Sequence, residues 1–144
     1  RDRLRNTGYA QAQFNLATMQ RVGLDSTFIW VDVEPYPVAP WTANRKNNKA
    51  GRKLKLLHAR GAGHATIRAG APYDLVLANI LAKPLVGLAP EIARLVAPGG
   101  RVILSGLLAH QEPQVKAAYA GRGFTLKHRR RLNGWSTLVY QRPG

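Results

Sequence analysis

Ala71-Pro-Tyr-Asp-Leu-Val-Leu-Ala-Asn-Ile-Leu-Ala-Lys-Pro-Leu85 decides how this chain is read. Leu75, Val76, Leu77 and Ala78 form a continuous apolar run, which suits a parallel strand covered on both faces. The run stops at Asn79, and from Pro84 apolar residues recur at 85, 88, 92, 95 and 96, close to the helical period. A buried strand leading into a helix is the start of a strand–helix–strand unit. Asn79 then stands at the carboxyl end of a central strand, the edge at which open α/β sheets bind ligands. Its carboxamide both donates and accepts hydrogen bonds without carrying charge, so it can hold an amine or a polar ligand. A plain cap or turn role accounts for an Asn at this position as well.

The alternation continues in both directions. A strand over 28–33 ends at Asp32, and Pro35 and Pro37 interrupt the stretch after it. Residues 42–49 read as a polar, exposed helix, 54–58 as a short strand, and 60–72 as a loop punctuated by Gly61, Gly63 and Gly70. After the central strand at 73–78 and the helix at 84–96, Pro98-Gly99-Gly100 supplies a turn. Residues 101–105 form the next buried strand and 112–120 the next helix. Residues 124–132 and 135–141 form a hairpin, because Asn133-Gly134 accepts the positive φ angles of a tight primed turn. The expected fold is α/β: a doubly wound, mostly parallel sheet with a terminal antiparallel hairpin.

Composition narrows the classes. A chain of 144 residues with 45% hydrophobic content has room for one domain with a proper core. No apolar run approaches the ~18 residues needed to span a bilayer, and no signal-peptide pattern is present. With no cysteine there are no disulfides or thiolate metal sites, which is compatible with a cytoplasmic home. The histidines at 58, 64, 110 and 128 lack ligand spacing, so no metal site is expected. The formal net charge of +15 is less ordinary, and the basic residues cluster at 45–55 and 127–131. Such a surface attracts polyanions, with RNA or a ribosomal particle the natural candidate, although a solvated basic face explains it too. No aromatics interleave with the basic residues, so base-specific recognition is not indicated.

Several motifs fall in order at one family's spacing. Ala-Asn-Ile-Leu-Ala at 78–82, Leu-Ala-Pro-Glu at 88–91, Ala-Pro-Gly-Gly at 97–100, Leu-Ser-Gly-Leu-Leu at 104–108 and Asn133-Gly134-Trp135 do so. Together they resemble the carboxyl-terminal half of the PrmA family, bacterial methyltransferases acting on a large-subunit ribosomal protein. Asp32-Val33-Glu34-Pro35 and the residues at 44–48 resemble that family's acidic strand end and following helix, so the likeness covers roughly 31–144. The resemblance implies a partial class I methyltransferase domain over 28–144, Rossmann-like and incomplete at its amino end. It implies S-adenosyl-L-methionine as cofactor, a ribosomal protein as partner with possible ribosomal RNA contact through the basic surface, and a cytoplasmic location.

The resemblance carries over to the site residue by residue. Asp32 matches the acid at the end of the second strand, which grips the donor's ribose hydroxyls. Asn79 matches the Asn that helps bind the donor and lies beside the methyl-transfer site. Ser105 and Gly106 lie at the next strand end, where small residues allow close approach, although simple turn chemistry also explains them. Arg60 stands where the family places an acid near the adenine. The family's Gly-rich turn belongs about twenty residues before the acid, a spacing shared with other dinucleotide-type sites. Residues 9–16 there hold no glycine, so 1–27 reads as an atypical amino-terminal segment, and the substrate-recruiting domain is expected to be missing. Three readings stay open: a protein methyltransferase, an inactive remnant of one, or a basic ribosome- or RNA-associated binding protein.

Overall fold

The computed structural model describes residues 28–32 and 61–144; the expected segment 1–27, helix 42–49, strand 54–58 and Arg60 lie outside the described residues. Along the chain come β1 (Phe28–Asp32), α1 (Ala65–Ala69), β2 (Tyr73–Asn79), α2 (Ala82–Leu95) and β3 (Val96–Leu108). A short 3-10 turn at Ala109–Gln111 leads into α3 (Glu112–Ala120), β4 (Thr125–Leu132) and β5 (Trp135–Gln141). The strands form one sheet in the order β1-β2-β3-β5-β4. β1, β2 and β3 are parallel, while β5 runs antiparallel to both β3 and β4.

The apolar run of β2 is explained by burial on both sides. Val76 and Ala78 join the main core with Leu85, Ala89 and Ile92 of α2 and Val115 and Tyr119 of α3. Leu75 and Leu77 belong to a separate cluster with Ile103, on the opposite face, and they too are buried. Complete burial of an aliphatic side chain of this size stabilises by roughly 1.5–3 kcal/mol. α2 begins at Ala82, before the expected start at Pro84. Proline is tolerated there because the first turn has no use for its missing N–H. The hairpin turn forms as its sequence indicates, with φ of 50° at Asn133 and 81° at Gly134.

Two details differ from the sequence reading. The stretch 60–72 contains the helix α1, capped by His64 Nδ1, which accepts from the Thr66 N–H at 3.1 Å. It buries no residue, so it leaves no apolar period to read. Pro98-Gly99-Gly100 is a bulge within β3 rather than a turn before it: Val96 already pairs with Tyr73, and pairing resumes at Arg101 opposite Leu75. Arg142 clamps that bulge, its N–H donating to the Gly100 carbonyl at 2.9 Å and its guanidinium to Ala93 and Val96 at the end of α2. At the far side of the sheet, β1 pairs directly with β2, an order the sequence did not address. In the common doubly wound order 3-2-1-4-5-6, a second strand and a fourth strand are separated by the first. Here the acid-ended strand occupies that intervening place.

A buried carboxylate joins α3 to the hairpin. Glu112 is 2% exposed. Arg131 donates through Nε and Nη2 at 2.7 and 3.0 Å, Ser136 Oγ donates at 2.7 Å, and Arg129 lies at 3.7 Å. The Arg131 hydrogen bonds, with Ser136 and the charges of Arg131 and Arg129, outweigh burial and lower the Glu112 pKa from 4.5 to about 2. Behind it, Tyr119 stacks on Tyr140 at 5.3 Å, and burial pushes the Tyr140 phenol up to about 12.

Because the folded-state pKa of Glu112 is depressed, its stabilisation is complete above its ordinary value and drains away as pH falls toward the folded value. Glu112→Gln should therefore lower stability at neutral pH by about 1.5–3 kcal/mol, nearer the lower end because Arg131 is half exposed. Urea denaturation across pH should show the wild type losing this increment between pH 4.5 and about 2, and the variant showing no such loss.

Candidate functional site at the carboxyl edge of the parallel strands

Register brings three polar residues into one row. Asp32 is the partner of Asn79, and Asn79 is the partner of Ser105, each at or near the carboxyl end of its run of parallel pairing. With parallel strands ~4.8 Å apart, the row spans about 10 Å. Alternation puts Asn79 on the face of Leu75 and Leu77, and Ser105 on the face of Ile103, away from α2 and α3. Asn79 is half-buried, and its carboxamide has no hydrogen-bond partner among the described residues. It is Asp32's backbone register that assigns it to the row.

The backbone just past Asn79 is held against β3. The Ile80 N–H donates to the Ser105 carbonyl at 3.2 Å. Gly106 comes next with φ of +82°, and a Cβ built there would meet the Ile80 carbonyl oxygen at 2.7 Å and its nitrogen at 3.0 Å. Glycine is required at this position for two separate reasons, the left-handed backbone and the contact. The strand does not end at Ser105 as expected. Ser105 and Gly106 form an irregularity between Leu104 and Leu107, after which β3 continues against β5 to Leu108. Bulges of this kind commonly re-aim the chain beside sites. Leu81, 69% exposed, caps α2 at the same edge.

The Gly61–Gly63 loop is tied elsewhere. Glu91 of α2 accepts from the Ala62 N–H at 2.8 Å, and a Cβ on Gly61 would come 3.3 Å from that carboxylate. These glycines serve close packing of loop against helix. No group of three or more metal-ligating side chains occurs among the described residues. No helix there is long and apolar enough to cross a membrane. The sequence placed Asp32 and Asn79 at strand ends, where they lie, but gave no direct sign of the exposed Leu81 beside them or of the contact that fixes Gly106. A glycine directly after a strand-end serine was the available hint.

The Asn79 amide at this edge can both donate to and accept from a polar ligand.

Comparison with known proteins places the chain in a family. The family model described as ribosomal protein L11 methyltransferase (PrmA) matches residues 20–143, beginning upstream of residue 31, where the motifs begin. A ribosomal protein L11 methyltransferase from Caulobacter sp. is 48% identical over 115 residues, covering 80% of this chain and 39% of the relative. One from Chelativorans sp. is 38% identical over 139 residues, covering 94% of this chain and 46% of the relative. The chain thus spans less than half the length of these curated relatives. Among solved structures, a ribosomal protein L11 methylase from Lactobacillus delbrueckii subsp. bulgaricus superimposes with TM-score 0.71 at 24% identity, covering 87% of this chain and 62% of that one. The N-methyltransferase NodS from Bradyrhizobium japonicum, solved with S-adenosyl-L-homocysteine, gives TM-score 0.60 at 14% identity, covering 81% and 66%. At these identities the structural likeness concerns the fold.

Gly106→Ala and Gly99→Ala separate the two demands on glycine. Both positions have positive φ, but a Cβ at Gly99 meets nothing within 4 Å. Gly99→Ala should cost about 1 kcal/mol of backbone strain, whereas Gly106→Ala should cost measurably more, toward the ~3 kcal/mol end, because Ile80 must move. Equal losses in thermal denaturation would remove the Ile80 contact from the account.

Proposed function

Since the chain belongs to the ribosomal protein L11 methyltransferase (PrmA) family, we propose that it carries the donor-binding edge of an S-adenosyl-L-methionine-dependent methyltransferase acting on amines of a ribosomal protein. The observation that carries this reading is the registered row Asp32, Asn79 and Ser105. Bound there, S-adenosyl-L-methionine supplies an electrophilic methyl group on a sulfonium. The solved NodS N-methyltransferase was obtained with S-adenosyl-L-homocysteine, which supports this choice of donor for a shared fold.

The chain's own residues do the holding. Asp32 accepts the ribose hydroxyls, a charge-assisted contact and therefore a strong one. Asn79 accepts or donates toward the donor, and with its backbone carbonyl orients the acceptor amine. The amine must arrive neutral, since a protonated one has no lone pair. None of the described residues beside Asn79 is an evident general base, so positioning supplies most of the rate. The basic surface adds contact with ribosomal RNA to this reading, and the acceptor's nature makes the cytoplasm its setting.

One observation favours a second reading, a methyltransferase fold that does not turn over. β1 lies directly against β2, in the place where a doubly wound sheet has its first strand and the glycine turn after it.

Calorimetric titration with S-adenosyl-L-methionine distinguishes the two. On the first reading the wild type binds, Asp32→Ala weakens binding by about 1.5–3 kcal/mol, and Asn79→Ala abolishes transfer with an unchanged circular dichroism spectrum. A folded wild type that binds no donor selects the second reading, and unchanged affinity in Asp32→Ala makes Asp32 a structural acid.

A further inference from the structure

β4 carries Lys127-His128-Arg129-Arg130-Arg131, all exposed, at the edge of the sheet among the described residues. Cations on an edge strand discourage pairing with another strand, which accounts for some of them. Their arrangement goes further. The irregularity between Leu126 and His128 sets the alternation of the residues beyond it. Arg129 and Arg131 reach Glu112 on one face. His128 and Arg130 stand on the other, opposite Val139 and Thr137, and Leu132 pairs with Trp135.

Glu112 offsets one charge among the four Lys and Arg side chains, and Lys127 and Arg130 have no acidic partner among the described residues. At the tip, Trp135 is 50% exposed and Leu132 59%. An indole in water at the end of a row of uncompensated cations combines an electrostatic track with a stacking platform. That pairing characterises single-strand nucleic-acid surfaces. The face is continuous with the site. Val139 pairs with Ile103, and Ser105, two residues further along β3, shares that side. Because β4 runs parallel to β3, the hairpin tip also lies at the same end of the sheet as Asn79.

We propose that the outer face of the β4–β5 hairpin docks single-stranded RNA. Lys127, His128 and Arg130 lie along its phosphates and Trp135 stacks on a base. Lys127 and Arg130, three residues apart, stand ~10 Å apart along the strand with His128 between them, a linear row suited to a repeating anionic backbone. An acidic protein segment would match the charges but offers no base for the indole. The choice of RNA rests on the proposed ribosomal acceptor, but docking requires neither donor nor methyl transfer and is tested without them.

The test is fluorescence anisotropy of a short fluorescein-labelled single-stranded RNA of mixed sequence with the full chain, across a salt series. Lys127→Ala/Arg130→Ala should weaken binding several-fold and reduce the slope of log affinity against log salt by about 1.4, ~0.7 for each lost phosphate contact. Trp135→Ala should weaken binding with the slope retained. Arg68→Ala/Arg122→Ala, which removes two exposed cations elsewhere, should leave affinity near wild type. Absence of RNA binding by the wild type, equal weakening by the two double variants, or equal competition by polyglutamate of matched charge would each overturn the proposal.

Discussion

Burial of β2 on both faces is the constraint from which the rest of the architecture derives. Val76 and Ala78 face one core, Leu75 and Leu77 the other, and no position from Leu75 to Ala78 tolerates water. Such a strand needs partners on both edges and cover on both sides. β1 and β3 supply the edges in parallel register, and α2 and α3 cover the larger face. Parallel pairing then aligns the carboxyl ends, which sets Asp32, Asn79 and Ser105 in one row. The candidate site is thus a consequence of how the core is buried.

Long-range polar contacts hold the pieces around that core. Residues 61–144 contain only three acids against eleven Lys and Arg residues, and two of those acids join separate elements. Glu91 fastens the Gly61–Gly63 loop to α2, and Glu112 fastens α3 to the hairpin. Arg142 ties the end of the chain to the carboxyl end of α2 and to the β3 bulge. With acids so scarce, most of these cations have no acidic partner among the described residues, and those on β4 gather on the edge strand of the described sheet. Carboxylates tie the elements together, Glu112 from a buried position, while the leftover positive charge faces outward.

The elements most legible in the sequence were those with a strong local signature. The apolar run ending at Asn79, the helical period after Pro84 and the Asn133-Gly134 turn each determine their geometry within a few residues. α1 escaped because it is short and buries nothing, and the bulge at 97–100 because Pro-Gly-Gly reads equally as a turn. The neighbour of β2 was not legible at all, since strand order depends on contacts between distant segments that no local pattern records. For the same reason Asn79 was found by its position at a strand end, while the Ile80–Gly106 contact and the Glu112 clamp became visible only in three dimensions.

The most direct test of the central claim, that the aligned strand ends form the donor site, is nuclear magnetic resonance titration of the labelled chain with S-adenosyl-L-homocysteine. Saturable amide shifts are expected at Asp32, Asn79, Ile80, Ser105 and Gly106, with the Asn133-Gly134 turn unmoved. Shifts confined to another part of the sheet, or none in a folded sample, would contradict it.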